Sequence, residues 1–184
     1  MSKQTDFIQK HKQDVIEATK GTGIFPSVKM AQMIIESGWG EDAPVKLANN
    51  YFGIKKGTNW SGPTIELKTS KDAQKTNVFR KYASPIDSIK DHSSFLINNP
   101  RYAANGVFKA KTPEEQIQSI AKAGYAESKN YAPTIISVIK SNNLKELDKE
   151  SVLQSNKTID YKTTILISLL VVSVYVLYTK LKTN

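Results

Sequence analysis

The chain contains no cysteine and only two histidines, His11 and His92. Without cysteine there can be no disulfide framework, no thiolate site for zinc or an iron–sulfur cluster, and no cysteine nucleophile. The two histidines cannot supply a metal cage by themselves, and no glycine-rich phosphate loop or cluster of metal ligands is present. We therefore expect a protein that works without a metal or other cofactor.

Charge of one sign is in excess, because 26 lysines and arginines stand against 17 aspartates and glutamates in 184 residues, a net charge of +9. The basic residues are dispersed, and Lys55-Lys56 and Arg80-Lys81 are only pairs. Such a surface suits an anionic polymer or an anionic lipid surface. No nucleic-acid-binding motif surrounds the pairs, so nucleic acid is not an expected partner.

The strongest asymmetry is an apolar run of seventeen uncharged residues, 163–179, between Lys162 and Lys180. The run predicts a single C-terminal transmembrane helix, with flanking lysines and Tyr175 and Tyr178 at the interface. A buried core helix or strand is the alternative. The start of the chain has no apolar stretch, so no secretory signal peptide is expected. The predicted organisation is a domain at 1–144, a polar linker at 145–162, the membrane helix at 163–179 and a basic tail at 180–184.

The hydrophobic periodicity of the first 144 residues, and the residues that begin and end its segments, predict a mostly helical α+β domain with one small β-hairpin lobe. Ser84, Pro85 and Asp87 form a helix-start signal, and Thr112, Pro113 and Glu115 repeat it. The predicted helices are Thr5–Lys20, a helix after Pro26 with Ser27 as N-cap and Gly38 as its end, Ser84–Ile97, Thr112–Ala123 and Asn130–Ser141; the hairpin runs are Thr64–Thr69 and Asn77–Tyr82, and 39–61 is predicted as loop.

Glu36 is the candidate catalytic residue, in the last turn of the second helix beside Ile34, Ile35 and Trp39. Apolar neighbours raise the pKa of a carboxyl group, and a glutamate that stays protonated can act as a general acid. The helix also admits a different interpretation. Lys29, Gln32 and Glu36 share one stripe, and this pattern is also typical of a solvated polar face that includes Glu36.

Six segments in order decide between these interpretations, and they extend over about residues 5 to 143. They are Glu36-Ser37-Gly38-Trp39-Gly40, Leu47 to Lys55, Trp60-Ser61-Gly62-Pro63, Phe79-Arg80-Lys81-Tyr82, Asn99-Pro100-Arg101-Tyr102 and Ala123-Gly124-Tyr125-Ala126. Together they resemble the N-acetylglucosaminidases of glycoside hydrolase family 73. The resemblance implies a lysozyme-like fold with a cleft between a helical lobe and a small β-lobe, and cleavage of the β-1,4 bond after N-acetylglucosamine in peptidoglycan.

The same resemblance assigns roles to individual residues. It places Glu36 on the catalytic acid and Tyr125 near the reacting sugar, where a phenol can hydrogen-bond a water molecule or the acetamido group. Phe52, like other aromatic residues of these segments, also suits a core position. The predicted substrate-binding residues are Asn50, Tyr51, Phe52, Gly53, Trp60 and Tyr131.

One departure concerns the second carboxylate that many family members carry on the hairpin, because here Lys71 occupies the corresponding position. Asp72 is our predicted replacement, and Glu66 is its competitor. Inverting hydrolysis needs two carboxyl groups about 6.5–9.5 Å apart, whereas assistance by the acetamido group of the substrate relaxes that need. The sequence leaves these routes open.

The function predicted from these observations is that of a phage lysin, anchored at a virion or host membrane and acting on peptidoglycan glycan strands. The expected partners are the glycan strands and a lipid bilayer. Two alternatives stay open: a lytic transglycosylase or muramidase on the same fold, and a non-catalytic wall-binding membrane protein of a virion.

Overall fold

A computed structural model describes residues 2–69 and 72–182, apart from the side chains of 69, 72–75, 157, 158, 164, 171 and 174–182. The chain forms two compact units, residues 1–148 and 149–184. The elements are α1 (Lys3–Thr19), α2 (Pro26–Ser37), α3 (Ala43–Ala48), β1 (Thr64–Thr69), β2 (Asp72–Arg80), α4 (Pro85–Ile97), α5 (Pro100–Ala104), a short 3-10 helix (Val107–Lys109), α6 (Pro113–Lys122), α7 (Tyr131–Ser141) and α8 (Lys145–Lys182). The predicted mostly helical α+β class is confirmed.

Helix starts follow the predicted capping signals. Ser84 and Asp87 form a reciprocal capping box at α4, and the Thr112 side chain accepts a hydrogen bond from the backbone N–H of Glu115 at α6. These side chains satisfy donors that a helix start leaves unpaired. The predicted cap at α2 is wrong. Phe25 holds the N-cap position, and Ser27 lies inside the first turn, where its N–H and hydroxyl donate to Asp148.

The two-stranded antiparallel sheet pairs Thr64 with Arg80 and Glu66 with Val78. The first strand has the predicted bounds, but β2 begins at Asp72 and ends at Arg80. The second strand therefore starts five residues earlier than the predicted Asn77 and stops before Tyr82. Tyr82 leaves the sheet because its N–H donates to the carbonyl of Ala48, the last residue of α3. Lys71 lies outside the described residues.

Two short helices were not predicted. In the region expected to be loop, Pro44 opens α3 and Asn49 ends it in a left-handed conformation with φ 51°. Pro100 likewise opens α5. Proline in the first turn and a left-handed residue at the end are the signals that identify such helices, yet six and five residues are too few to show a periodic pattern.

Helix α2 lies at the centre of the first unit. Ten of its twelve residues are buried, and apolar residues of α1, α4, α6 and α7 belong to the same core. Its polar stripe is buried as well, since Lys29 and Gln32 are fully inaccessible to solvent. The interpretation of this stripe as a solvated face is therefore wrong. Side chains from α4 and α7 cover it, as described below.

The segment predicted as a linker, 145–162, is helical and forms part of α8. Leu147 is buried in the first unit, and Asp148 accepts the two hydrogen bonds from Ser27. Within the described part of the chain, no helix has both the length and the apolar character required to span a bilayer. Part of the predicted membrane segment, residues 163–179, lies outside the described side chains, so the membrane helix stays a prediction.

Candidate active site

A cleft of about 430 Å³ opens beside the C-terminal end of α2. Its described lining combines one carboxylate with aromatic, apolar and basic side chains. The lining residues are Glu36, Phe52, Ile54, Lys55, Gly57, Arg80, His92, Phe95 and Tyr125. The helical side and the hairpin side of the first unit thus both contribute to the cleft, and Glu36 and Tyr125 lie in it together.

The backbone turns sharply directly after Glu36. Gly38, Trp39 and Gly40 have positive φ angles of 54°, 60° and 80°. A side chain on Gly40 would come within 3.1 Å of the Phe7 ring, so glycine fits this position for two reasons. The hydroxyl of Ser37 donates to the carbonyl of Met33 and accepts from the N–H of Gly40. This turn ends α2 at the cleft and leaves Glu36 in its last turn.

Glu36 is half-buried, and its carboxyl group has a defined partner. The Tyr131 hydroxyl donates to Oε1 of Glu36 at 3.0 Å, and Nε2 of the buried Gln32 donates to the Tyr131 oxygen at 3.1 Å. Burial raises the pKa of Glu36, and the hydrogen bond from Tyr131 partly opposes that shift. Because Oε1 accepts from Tyr131, a proton on the neutral acid belongs on Oε2. Burial thus favours the neutral carboxyl group, and the hydrogen bond from Tyr131 leaves Oε2 to carry its hydrogen.

Tyr125 lies beside this pair, with its ring stacked on Tyr131 at a centroid distance of 5.3 Å. Its hydroxyl is 2.9 Å from Nε2 of His92. Burial raises the pKa of Tyr125, and the charge of Glu36 raises it further. The phenol therefore keeps its hydrogen at neutral pH and serves as a hydrogen-bonding group rather than as an anion.

The predicted loop residues support the cleft wall more than they line it. Asn50 is 1% exposed, and its amide bonds the backbone of Ile54 and Arg80. Tyr51 is buried against Phe7 and His11. Gly53 has a φ of 58° and precedes Ile54, which lines the cleft. Of the predicted loop residues only Phe52 is in the described lining, and it is also a core residue.

Trp60 and Tyr131 act through neighbours. The Trp60 indole donates to the carbonyl of Pro63, and the Arg80 guanidinium lies 4.7 Å from the ring. Arg80 then lines the cleft. Tyr131 contacts Glu36 directly. Direct sugar binding by Asn50, Tyr51, Gly53, Trp60 and Tyr131 stays a prediction.

The hairpin is held to α4 by a cluster of polar bonds. Nη1 of Arg80 donates to both carboxylate oxygens of Asp91 at 3.0 and 2.7 Å, and the Tyr82 hydroxyl donates to the same carboxylate at 2.7 Å. On the hairpin itself, Glu66 is exposed and is not among the described lining residues. Asp72 begins β2, but its side chain lies outside the description.

The residues of the cleft lining that the sequence did not predict as site residues are Ile54, Lys55, Gly57, Arg80, His92 and Phe95. His92 had been considered only as a metal ligand, and among the described residues no group of three or more histidine, aspartate or glutamate side chains is placed to hold a metal ion. The signal that was available is positional. His92, Phe95 and the buried Leu96 follow one face of α4 at helical spacing, but the pattern does not reveal which element that face meets.

A mostly helical α+β domain, a small hairpin and a half-buried glutamate in the cleft beside it define a lysozyme-like glycoside hydrolase. Residues 12–144 match the family described as glucosaminidase, mannosyl-glycoprotein endo-beta-N-acetylglucosaminidase. The chain therefore belongs to the glucosaminidase family, glycoside hydrolase family 73, as the sequence resemblance predicted.

Individual relatives agree. Peptidoglycan hydrolase FlgJ of Salmonella typhimurium is 33% identical over 143 residues, which cover 73% of this chain and 45% of FlgJ. Exo-glucosaminidase LytG of Bacillus subtilis is 31% identical over 77% of this chain and 52% of LytG. This chain thus spans about half or less of these relatives. The solved glycoside hydrolase domain of Salmonella typhimurium FlgJ superposes with a TM-score of 0.67 and 29% identity, over 86% of this chain and 99% of that domain.

Proposed function

We propose that this protein is a peptidoglycan hydrolase that cleaves the β-1,4 glycosidic bond after N-acetylglucosamine, with Glu36 as general acid. The observation that carries the proposal is the Glu36 carboxyl group, half-buried in the cleft and hydrogen-bonded through Oε1 to Tyr131. Burial raises the pKa of Glu36, which favours the protonated acid, and Oε2 can then give the proton to the departing glycosidic oxygen. The relatives named peptidoglycan hydrolase support the choice of substrate.

The other groups of the cleft suit a sugar substrate. Tyr125 has a phenol that bonds a water molecule or the acetamido group of the sugar, and Phe95 is 36% exposed and offers an aromatic face. Lys55 is exposed and brings positive charge to the hairpin side, which favours the approach of an anionic wall polymer, whereas the charge of Arg80 is paired with Asp91.

Zymography of the full chain in a peptidoglycan gel tests the role of Glu36. We expect a clearing band from the parent and none from Glu36→Gln, because an amide cannot donate the proton. Glu41→Gln is the matched control, since Glu41 is exposed and pairs with Lys46 on the surface. Equal clearing by the parent and Glu36→Gln would remove Glu36 from the mechanism. No clearing by either would favour the non-catalytic wall-binding alternative.

The products separate the enzymatic alternatives. A glucosaminidase leaves a new N-acetylglucosamine reducing end, a muramidase leaves a muramic reducing end, and a transglycosylase leaves an anhydro-muramic product. We expect the first, and either of the others would replace the proposed bond or reaction.

We propose Asp72 as the second carboxylate because Glu66 is exposed on β1 and lies outside the described cleft lining. Asp72→Asn is expected to lower the hydrolysis rate, and Glu66→Gln is expected to leave it unchanged. The opposite pattern would exchange their roles. No effect from either variant would leave the substrate acetamido group as the assisting nucleophile.

We further propose that residues 163–179 hold the enzyme at a membrane in a phage particle or an infected host. The run of seventeen uncharged residues between lysines supports membrane attachment, and the glucosaminidase domain supports a role in wall penetration or lysis. Mass spectrometry of purified virions and of the infected-cell envelope tests this setting. Absence of the chain from both preparations would contradict it.

A further inference from the structure

A fully buried lysine lies on the same stripe of α2 as Glu36, about two turns nearer the start of the helix. Lys29 precedes Glu36 on α2 and is 0% exposed. Its Nζ is 2.6 Å from Nδ1 of His92 on α4, and it lies 5.3 Å from the centre of the Phe52 ring. Burying an amino group is costly unless it has partners, and here the imidazole and the aromatic face supply them.

His92 connects this lysine to the cleft. It is 1% exposed, and its ring stacks on Phe52 at a centroid distance of 3.9 Å. Its second nitrogen, Nε2, is 2.9 Å from the Tyr125 hydroxyl. Lys29, His92 and Tyr125 thus form a continuous hydrogen-bonded chain that begins in the core and ends on a cleft residue.

The donors in this chain can be assigned from chemistry. Burial lowers the pKa of His92, and the positive charge of Lys29 lowers it further, so the imidazole is neutral and carries one hydrogen. An ammonium group can only donate. With Lys29 in its ammonium form, Lys29 donates to Nδ1, the hydrogen of His92 is on Nε2, and Nε2–H donates to the Tyr125 oxygen.

The charge of Lys29 matters for this assignment. Burial lowers the pKa of Lys29 well below its usual range, while the short bond to His92 and the Phe52 ring favour the ammonium form. An uncharged amine accepts as well as donates, so it would leave the imidazole hydrogen on either nitrogen. The position of the hydrogen on His92 therefore shows whether a charged Lys29 fixes the direction of the hydrogen bonds through His92 to Tyr125.

We propose that Lys29 and His92 are positioning residues that occupy the Tyr125 oxygen from the core side and so direct the Tyr125 hydrogen into the cleft, where it donates to the acetamido group or to water. The inference rests on the proposed function. It goes beyond that function by giving this buried pair a role in the reaction and by fixing the donor direction of Tyr125.

A purely structural role is a poor explanation for the pair. An apolar side chain of similar length would fill the same space without the cost of burying an amine, which offsets the loss of the hydrogen bond to Nδ1 of His92. Lys29→Met is therefore expected to keep or raise the melting temperature. A loss of activity in a variant of unchanged or higher stability would separate positioning from folding.

The imidazole tautomer is measurable directly by nitrogen-15 NMR of the full chain, because His11 and His92 are the only two histidines. His11→Phe assigns the remaining signals to His92. We expect a neutral ring with hydrogen on Nε2 in the parent. Hydrogen on Nδ1, or a doubly protonated ring, would overturn the inference. This measurement requires no activity, so it stands even if the proposed function fails.

Steady-state kinetics on soluble peptidoglycan fragments test the consequence for catalysis. Lys29→Met is expected to lower kcat about tenfold with KM within about twofold, whereas Met30→Leu, a buried neighbour on the same helix, leaves both unchanged. In a Tyr125→Phe background, Lys29→Met should cause no further loss, because the residue it positions is already without its hydroxyl. The same tenfold loss in both backgrounds would contradict the proposal.

Discussion

The two walls of the cleft are built in different ways. On the helical wall, Lys29 and Gln32 are fully buried and Tyr131 is 8% exposed, and each is hydrogen-bonded toward a cleft residue. On the hairpin wall, Glu66 is exposed, and the described polar bonds link Arg80 to the Lys55 carbonyl and to Asp91 on α4. Buried hydrogen bonds therefore hold the side chains of the helical wall, whereas the hairpin wall is held to α4 through the partly exposed pair of Arg80 and Asp91.

Among the variants that test this comparison of the two walls, the largest effect is expected at Tyr125. Tyr125→Phe should lower kcat about a hundredfold, equivalent to about 2.7 kcal/mol, because the cleft loses a positioned hydroxyl. Tyr161→Phe is the matched control, since Tyr161 is 68% exposed on α8. Steady-state kinetics of both variants check the prediction, and equal rates for Tyr125→Phe and the parent would show that the helical wall acts through Glu36 alone.

The helical side should also carry a pH-dependent stability. Burial lowers the pKa of His11 to about 4, with a contribution from the charge of Lys10. In the unfolded chain the pKa of His11 is about 6.5. Between that pH and about pH 4, the unfolded state therefore binds a proton at His11 and the folded state does not. The contribution of His11 to the free energy of unfolding is therefore fully present above about pH 6.5, and it is lost as the pH falls toward 4.

For His11 the loss between about pH 7 and about pH 5 is about 2 kcal/mol. His11→Phe keeps an aromatic ring against Phe7 and Tyr51 and should flatten the pH dependence by that amount. Urea unfolding at several pH values measures it. An unchanged slope in the variant would assign the acid sensitivity to other groups, of which buried His92 is the first to examine.

The anchoring of the hairpin wall can be broken at Arg80. Arg80→Met removes the paired bonds to Asp91 and should lower the free energy of unfolding by about 1.5 kcal/mol, because both side chains are about one-fifth exposed and the pair is partly screened. Lys46→Met, which removes an exposed ion pair, should have a smaller effect. Denaturant titration compares the two, and an equal effect would mean that the hairpin does not depend on this link.

The smallest expected effect is at Tyr131. Tyr131→Phe removes the donor to Oε1 and so raises the pKa of Glu36 further, because that bond favours the carboxylate. The alkaline limb of the pH–rate profile should move to higher pH, and kcat/KM should fall about tenfold, about 1.4 kcal/mol, as Glu36 loses its orientation. A limb that moves to lower pH would reverse the assigned donor direction.

Much of the fold was predictable because its signals are local. The capping box of Ser84 and Asp87 marks the start of α4, and the alternation from Thr64 marks β1. Helix α3 was not predicted because six residues are too few to show helical periodicity. The burial of the polar stripe on α2 was not predicted either, because a pattern on one helix does not show whether its polar face contacts water or other side chains.

The candidate site was only partly predictable for the same reason. Glu36 and Tyr125 were identified from segments that resemble a known family, and the structure brings them into one cleft. The partner of Lys29 lies 63 positions along the chain, and the partner of Glu36 lies 95 positions along it. Local periodicity does not identify residue pairs that lie so far apart in the sequence. The hydrogen bonds from Lys29 through His92 to Tyr125 are therefore evident only from the three-dimensional structure.

The central claim is that burial by the helical wall raises the pKa of Glu36 and so favours its use as an acid. Carbon-13 NMR of the glutamate carboxyl groups in the full chain, titrated with pH and assigned by loss of one signal in Glu36→Gln, tests it most directly. The account predicts that Glu36 titrates above the ordinary glutamate value of about 4.3. A Glu36 midpoint at or below that value would contradict it.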